Sequence, residues 1–159
     1  MPPQHAEGRG SDDSFSLEEK LYRRFSLADI DSDGQLIAIQ LVDRYFPGLS
    51  TNRSKYSVPE DVIHPNCCDQ KDYAEWGIAS FSILELSDLF ELSGDNGMVS
   101  RRYRLLFQHV PLMLCYAHTE ITCCVEGGSA EKFTGKVKRG FRAQLTRHLS
   151  IERAPKQHE

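Results

Sequence analysis

The chain alternates short apolar clusters with polar breaks, and the spacing of its apolar residues predicts helices more often than strands. Leu17, Leu21, Phe25 and Ala28 fall at helical intervals behind Ser16-Leu17-Glu18-Glu19. That tetrapeptide is a capping-box pattern, in which the serine and Glu19 satisfy first-turn amides reciprocally. A helix is therefore expected to run to about Ala28. A second is expected over 38–46, stopped by Pro47-Gly48. Residues 47–58 read as a polar loop, and Ser57-Val58-Pro59-Glu60 can start another short helix. A further capping box, Ser82-Ile83-Leu84-Glu85, opens a segment with Ile83, Leu86, Leu89 and Phe90 on one side. Gly94 and Gly97 break it, and residues 100–108 read as the next helix. Beyond Val110 two periods compete. Phe141, Ala143, Leu145, Arg147 and Leu149 alternate as in a strand, while Val137, Phe141, Leu145 and Leu149 recur every four residues as in a helix. Gly135 and Gly140 each disfavour a helix by about 1 kcal/mol, so a helix is expected from about Phe141 only.

Between the first two expected helices lies Asp29-Ile30-Asp31-Ser32-Asp33-Gly34-Gln35-Leu36-Ile37-Ala38-Ile39-Gln40. Three acids at alternate positions, a glycine, and an aliphatic residue two places on are what a tight oxygen cage requires. The alternation aims three carboxylates at one centre, Gly34 permits the sharp turn, and the carbonyl of Gln35 can face an ion. Such oxygen ligands suit calcium or magnesium rather than zinc.

Residues 16–46 resemble the EF-hand family on this helix, loop and helix, with Phe25 four residues before Asp29 and Leu41, Tyr45 and Phe46 following. The resemblance implies side-chain ligands at Asp29, Asp31 and Asp33, a carbonyl ligand at Gln35 and a weak ligand at Gln40. Gln40 stands where the family usually places a glutamate that grips calcium with both oxygens, and Ile37 replaces an oxygen-bearing residue. The loop thereby loses a charge and a ligand, which implies weak calcium or magnesium binding, or a loop that is only structural. One or two eroded hands are also expected. One lies near 64–75, on His64, Asn66, Cys68, Asp72 and Glu75-Trp76; the other lies near 91–103, where Arg101 and Arg102 oppose a cation.

Composition adds three constraints. The 159 residues, 40% hydrophobic and 26% charged, suit a folded domain, and no apolar run reaches the roughly 18 residues of a membrane-spanning helix. The net charge of −4 hides an acidic residues 1–100 and a basic residues 101–159. A basic stretch over 132–147 carries Lys136, Lys138, Arg139 and Arg142, interleaved with Val137, Phe141 and Leu145. It reads as a partner-binding surface or as a cover for the acidic half of the chain itself. Cys67, Cys68, Cys115, Cys123 and Cys124 are odd in number, and the polar start of the chain carries no secretory pattern, so reduced thiols and a cytoplasmic location are expected. His64 with Cys67 and Cys115 with His118 have zinc-like half-site spacing, but they stand far apart, and zinc is not expected.

No phosphate loop, dinucleotide fingerprint, nucleophile elbow or zinc-protease motif occurs, so no enzyme is expected. Together these features predict a mainly α protein in three parts. Residues 1–13 form a disordered tail, 14–110 an EF-hand-like helical domain, and 111–159 a basic segment of mixed α/β character. The resemblance implies a calcium- or magnesium-binding regulatory or adaptor protein with a protein partner. The alternative is a subunit of a larger assembly, with an ion-free EF-hand fold and a basic segment that contacts nucleic acid or an acidic partner.

Overall fold

The computed structural model describes residues 4–37, 48–65, 71–92, 101–126 and 135–157. Among these described residues seven antiparallel strands form one sheet: β1 (Lys20–Phe25), β2 (Leu49–Arg53), β3 (Gly77–Ser82), β4 (Phe90–Leu92), β5 (Arg101–His109), β6 (His118–Val125) and β7 (Leu149–Arg153). Their spatial order is β4-β5-β6-β2-β1-β3-β7, and the sheet curls into a half-barrel. Among the described residues two helices accompany it: α1 (Ile83–Leu86), a single turn, and α2 (Gly135–Arg147).

Strand alternation sorts the side chains onto two faces. On the concave face, Leu21 pairs with Phe81 and lies opposite Arg53, Leu49 opposes Ile121, and Leu105 opposes Cys123. The apolar members of this face join Ile83, Leu86, Phe90 and Tyr103 in the main core, which α2 closes with Val137, Phe141 and Leu145. That four-residue spacing is one helical stripe, and it leaves Lys136, Lys138, Arg139 and Arg142 off the buried side. On the convex face Tyr22 and Ile78 pack under Val62 and Ile63, which belong to a 3-10 turn over Pro59–Ile63, and under Tyr73.

This architecture corrects the expected fold class. The protein is mostly β rather than mainly α, and its core is a curled sheet rather than a set of EF-hand helix–loop–helix units. The segment expected as the incoming helix is strand β1, and residues 100–108 fall almost wholly in strand β5. Leu21 and Phe25 are four apart, a spacing that serves a helix face and a strand face equally, and pairing with β2 and β3 decides for the strand. The Ser16 box does form: Ser16 N–H donates to Glu19 Oε1 at 2.9 Å and Glu18 N–H to Ser16 Oγ at 3.2 Å. It caps a turn that leads into β1 instead of a helix. The expected helix over 38–46 lies outside the described residues. The two eroded hands are likewise replaced: residues 77–82 and 90–92 around them are strands, and 66–70 and 93–100 lie outside the described residues. The C-terminal helix expected from Phe141 is present, beginning at Gly135.

Candidate functional site

The acidic loop forms a small hairpin. Ile30 and Leu36 make an isolated antiparallel bridge, and Gly34 takes a φ of 76° at its tip. Asp29 turns back, its Oδ2 accepting from the Ser26 N–H at 2.7 Å and the Ser26 hydroxyl at 3.0 Å. Asp31 Oδ1 accepts from the N–H groups of Asp33 and Gln35, both at 2.9 Å, and the Gln35 carbonyl accepts from the Asp31 N–H at 2.9 Å. Asp33 is exposed, and Gln40 lies outside the described residues. Among the described residues no group of three or more His, Cys, Asp or Glu side chains is gathered for a metal. With the fold, this overturns the reading of the chain as an EF-hand calcium- or magnesium-binding regulator or as an ion-free EF-hand subunit.

The densest polar constellation stands elsewhere, at one end of the concave face. Strand alternation carries Leu49, Thr51 and Arg53 of β2 onto that face, and it carries Phe107 and His109 of β5 there too. Arg53 is fully buried. Its Nε donates to Glu19 Oε2 and its Nη2 to Glu19 Oε1, both at 2.8 Å, a two-pronged pair. Its remaining donors reach two backbone carbonyls, Asp12 O through Nη1 and Ser14 O through Nη2 at 2.7 Å. Phe15 covers the guanidinium at 3.9 Å from its ring centre. Burial pushes the Glu19 carboxyl upward, but the hydrogen bonds from Arg53 and the Ser16 N–H outweigh it and hold the acid below its ordinary range.

Residues 4–14 run across this end of the sheet, turning at Glu7-Gly8, where the Arg9 N–H donates to Ala6 O at 2.9 Å and Gly8 takes a φ of 70°, and they are held at every few residues. Gln4 O accepts from the Tyr116 N–H at 2.7 Å, and the Ala6 N–H donates to Met113 O at 3.1 Å. The Arg9 guanidinium lies 3.4 Å from the Tyr116 ring centre and 5.5 Å from that of Tyr56. Tyr116 Oη donates to Gly10 O at 2.9 Å. The Asp12 N–H donates to His109 Nδ1 at 2.7 Å, and the opposite ring nitrogen, Nε2, meets Tyr116 O at 2.6 Å. Those two partners set the roles of the ring nitrogens, Nδ1 accepting and Nε2 donating. The His109 ring stacks on Tyr56 at 5.6 Å and meets the Tyr116 ring edge-on at 4.8 Å.

The side chain of Asp12 is the electrostatic centre of this contact. Its carboxylate accepts from Lys55 Nζ at 2.8 Å, from Tyr56 Oη, and from the Ser14 hydroxyl and N–H. These donors, Lys55 foremost, hold its carboxyl far below the usual carboxylate range. The same bond pushes the Lys55 ammonium upward, and Tyr56 rises because its hydroxyl donates to the anion. Beside the segment, Ser14, Phe15, Ser16, Glu18, Glu19, Ser54 and Lys55 line an open cleft of about 520 Å³.

The other candidates disperse. His118 donates from Nδ1 to Val110 O at 2.7 Å, and the Cys115 thiol donates to Asn52 Oδ1 at 3.3 Å. His64 ends the 3-10 turn, and Cys67 and Cys68 lie outside the described residues. Cys123 and Cys124 are buried in β6. Arg53, Tyr56, His109 and Tyr116 were not legible as a set in the sequence. The available signal was local: Leu49, Thr51 and Arg53 alternate in step, which puts an arginine in line with an apolar strand face. Comparison with protein-family models, curated proteins and solved structures gives no match to this chain, and the curled antiparallel sheet overturns the EF-hand resemblance of residues 16–46.

Proposed function

We propose that this chain is a non-enzymatic protein-binding domain, and that the end of its concave face is a groove for a peptide segment. The observation that carries this reading is the way residues 4–14 are held. Buried Arg53 and His109 bind main-chain groups of the segment, while Tyr116, Tyr56 and Lys55 bind its side chains. Main-chain bonds supply affinity for any extended chain and side-chain contacts supply selectivity, the division of labour found in peptide-recognition surfaces. Arg and Tyr are also the residue types that dominate binding energy at interfaces. No helix among the described residues is long and apolar enough to cross a membrane.

The test uses the full chain carrying Arg9→Ala and Asp12→Ala, which loosens the resident segment but leaves the groove intact. A fluorescent synthetic peptide with the sequence of residues 4–16 is titrated and read by fluorescence anisotropy. Saturable binding to the variant is expected. Wild-type chain should bind at least about tenfold more weakly, because its tethered segment competes at an effective concentration on the order of millimolar. A variant that melts cooperatively yet does not bind overturns the reading. Should the double variant lose its cooperative melt, Arg9→Ala alone serves in the same titration.

A further inference from the structure

Resting on that reading, we infer that the groove selects partners by an arginine placed three residues before an aspartate in the docked segment. Residues 9–12 of the chain itself are then the resident copy of that pattern, which a partner must displace.

The two end positions are read by matched chemistry. Arg9 lays its guanidinium on Tyr116 at 3.4 Å from the ring centre and donates to Gln4 Oε1 at 2.6 Å. A planar, delocalised cation stacks on an aromatic face in a way that a compact ammonium does not, so arginine is favoured over lysine. Asp12 receives one ammonium and one phenol on a single oxygen, Oδ2, with Ser14 on the other. An asparagine would lose the charge that Lys55 meets. The spacing is set by the main chain: Tyr116 Oη holds the carbonyl of Gly10, and His109 and Arg53 hold the N–H and carbonyl of Asp12.

The two middle positions are unread. Ser11 is exposed, and a side chain built at Gly10 would meet nothing within 4 Å. The pattern is therefore Arg-x-x-Asp with free middle residues. Its hold is also of a kind that exchanges. Between Gln4 and Ser14 the segment is exposed or half-exposed throughout and carries no large apolar side chain, so polar and aromatic–cation contacts do the holding. A partner segment bearing the same two side chains can replace the contacts to Tyr116, Lys55 and Tyr56, those to Gln4 and Ser14 being internal to the segment, and the tether of the resident copy sets the concentration it must overcome.

Five labelled peptides spanning residues 4–16 test this against the full chain carrying Arg9→Ala and Asp12→Ala: the parent, Arg9→Ala, Asp12→Asn, Gly10→Ala, and a scrambled sequence. The Arg9→Ala and Asp12→Asn peptides should each bind at least about fivefold more weakly than the parent, and Gly10→Ala within about twofold of it. Adding Lys55→Ala to the chain should reduce the penalty of the Asp12→Asn peptide, since only the Tyr56 hydroxyl of the groove then meets the carboxylate. If the parent binds but the scrambled, Arg9→Ala and Asp12→Asn peptides bind equally well, the pattern is refuted while the groove stands. If no peptide binds, both fall. Equal parent affinity for the wild-type chain and the variant would refute residence of the copy.

Discussion

Arg53 occupies a place where an error of one residue would be costly. It is fully buried, and its donors serve Glu19 and the carbonyls of residues 12 and 14 at once. Arg53→Met would keep most of the side-chain volume and leave the Glu19 carboxylate buried without its cation. Removing one partner of a buried pair costs about 3–5 kcal/mol, and that loss should appear as a lower midpoint in urea unfolding. Lysine would not rescue it, because a single ammonium cannot reproduce the fork that meets both carboxylate oxygens. The residue was passed over in the sequence because 47–58 is rich in polar side chains and reads as a loop. A charged residue that is buried looks the same in a list of letters as one that is solvated. For Asp29, Asp31 and Asp33 the ambiguity runs in the opposite sense. Their alternation is real, but the Ser26, Asp33 and Gln35 groups that two of them accept from are close in the chain, so a tight hairpin satisfies the same pattern as a metal cage.

At the scale of elements, close approach of backbone to ring fixes where strands can meet. A methyl group at Gly77 would come within 2.7 Å of Phe25 Cε1 and 2.8 Å of the Arg153 carbonyl, one on each neighbour of β3. Gly77→Ala should therefore destabilise by about 1–3 kcal/mol and shift the thermal midpoint down, read by circular dichroism. Its glycine had no visible meaning in the sequence, since the crowding comes from residues 52 and 76 positions away. The helix of the C-terminal region was legible for the opposite reason. Val137, Phe141 and Leu145 form one stripe within a single turn-by-turn element, and the information is local. For β5, Tyr103, Leu105, Phe107 and His109 alternate cleanly, and a strand was readable there. The adjacent Leu105-Leu106-Phe107 run obscured it, because an unbroken apolar run fits either period.

At the scale of the whole molecule, three carboxyls held below their ordinary values span distant parts of the chain: Asp12, Glu19 and Glu152. Glu152 is lowered by the Ser80 hydroxyl and by Lys20, which join β7, β3 and β1. A carboxyl with a depressed folded value stabilises fully above its unfolded value and loses that contribution as the pH falls through the folded one. Stability should therefore be steady from neutral pH down to about 5 and fall progressively below about 4. Scanning calorimetry across that range checks it, and a melting temperature that rose on acidification would contradict the assignment of these carboxyls. The charge asymmetry visible in the sequence finds only part of its explanation here. Lys156–Glu75 and Arg102–Glu91 join a base of the basic half to an acid of the acidic one, but Lys20–Glu152 runs in the opposite sense, and Arg53–Glu19 and Lys55–Asp12 lie wholly within the acidic half.

The order of the strands has a consequence for synthesis on the ribosome. β3 lies between β1 and β7, and its residues from Gly77 to Phe81 are all buried. Its outer partner is translated last among the strands, some seventy residues later. A nascent chain that ends before Leu149 presents the β3 edge, with Ile78 and Phe81, as an unpaired and sticky margin. Completion of the sheet thus waits for the final strand to clear the exit tunnel, and the interval before it does is when this chain most needs a chaperone.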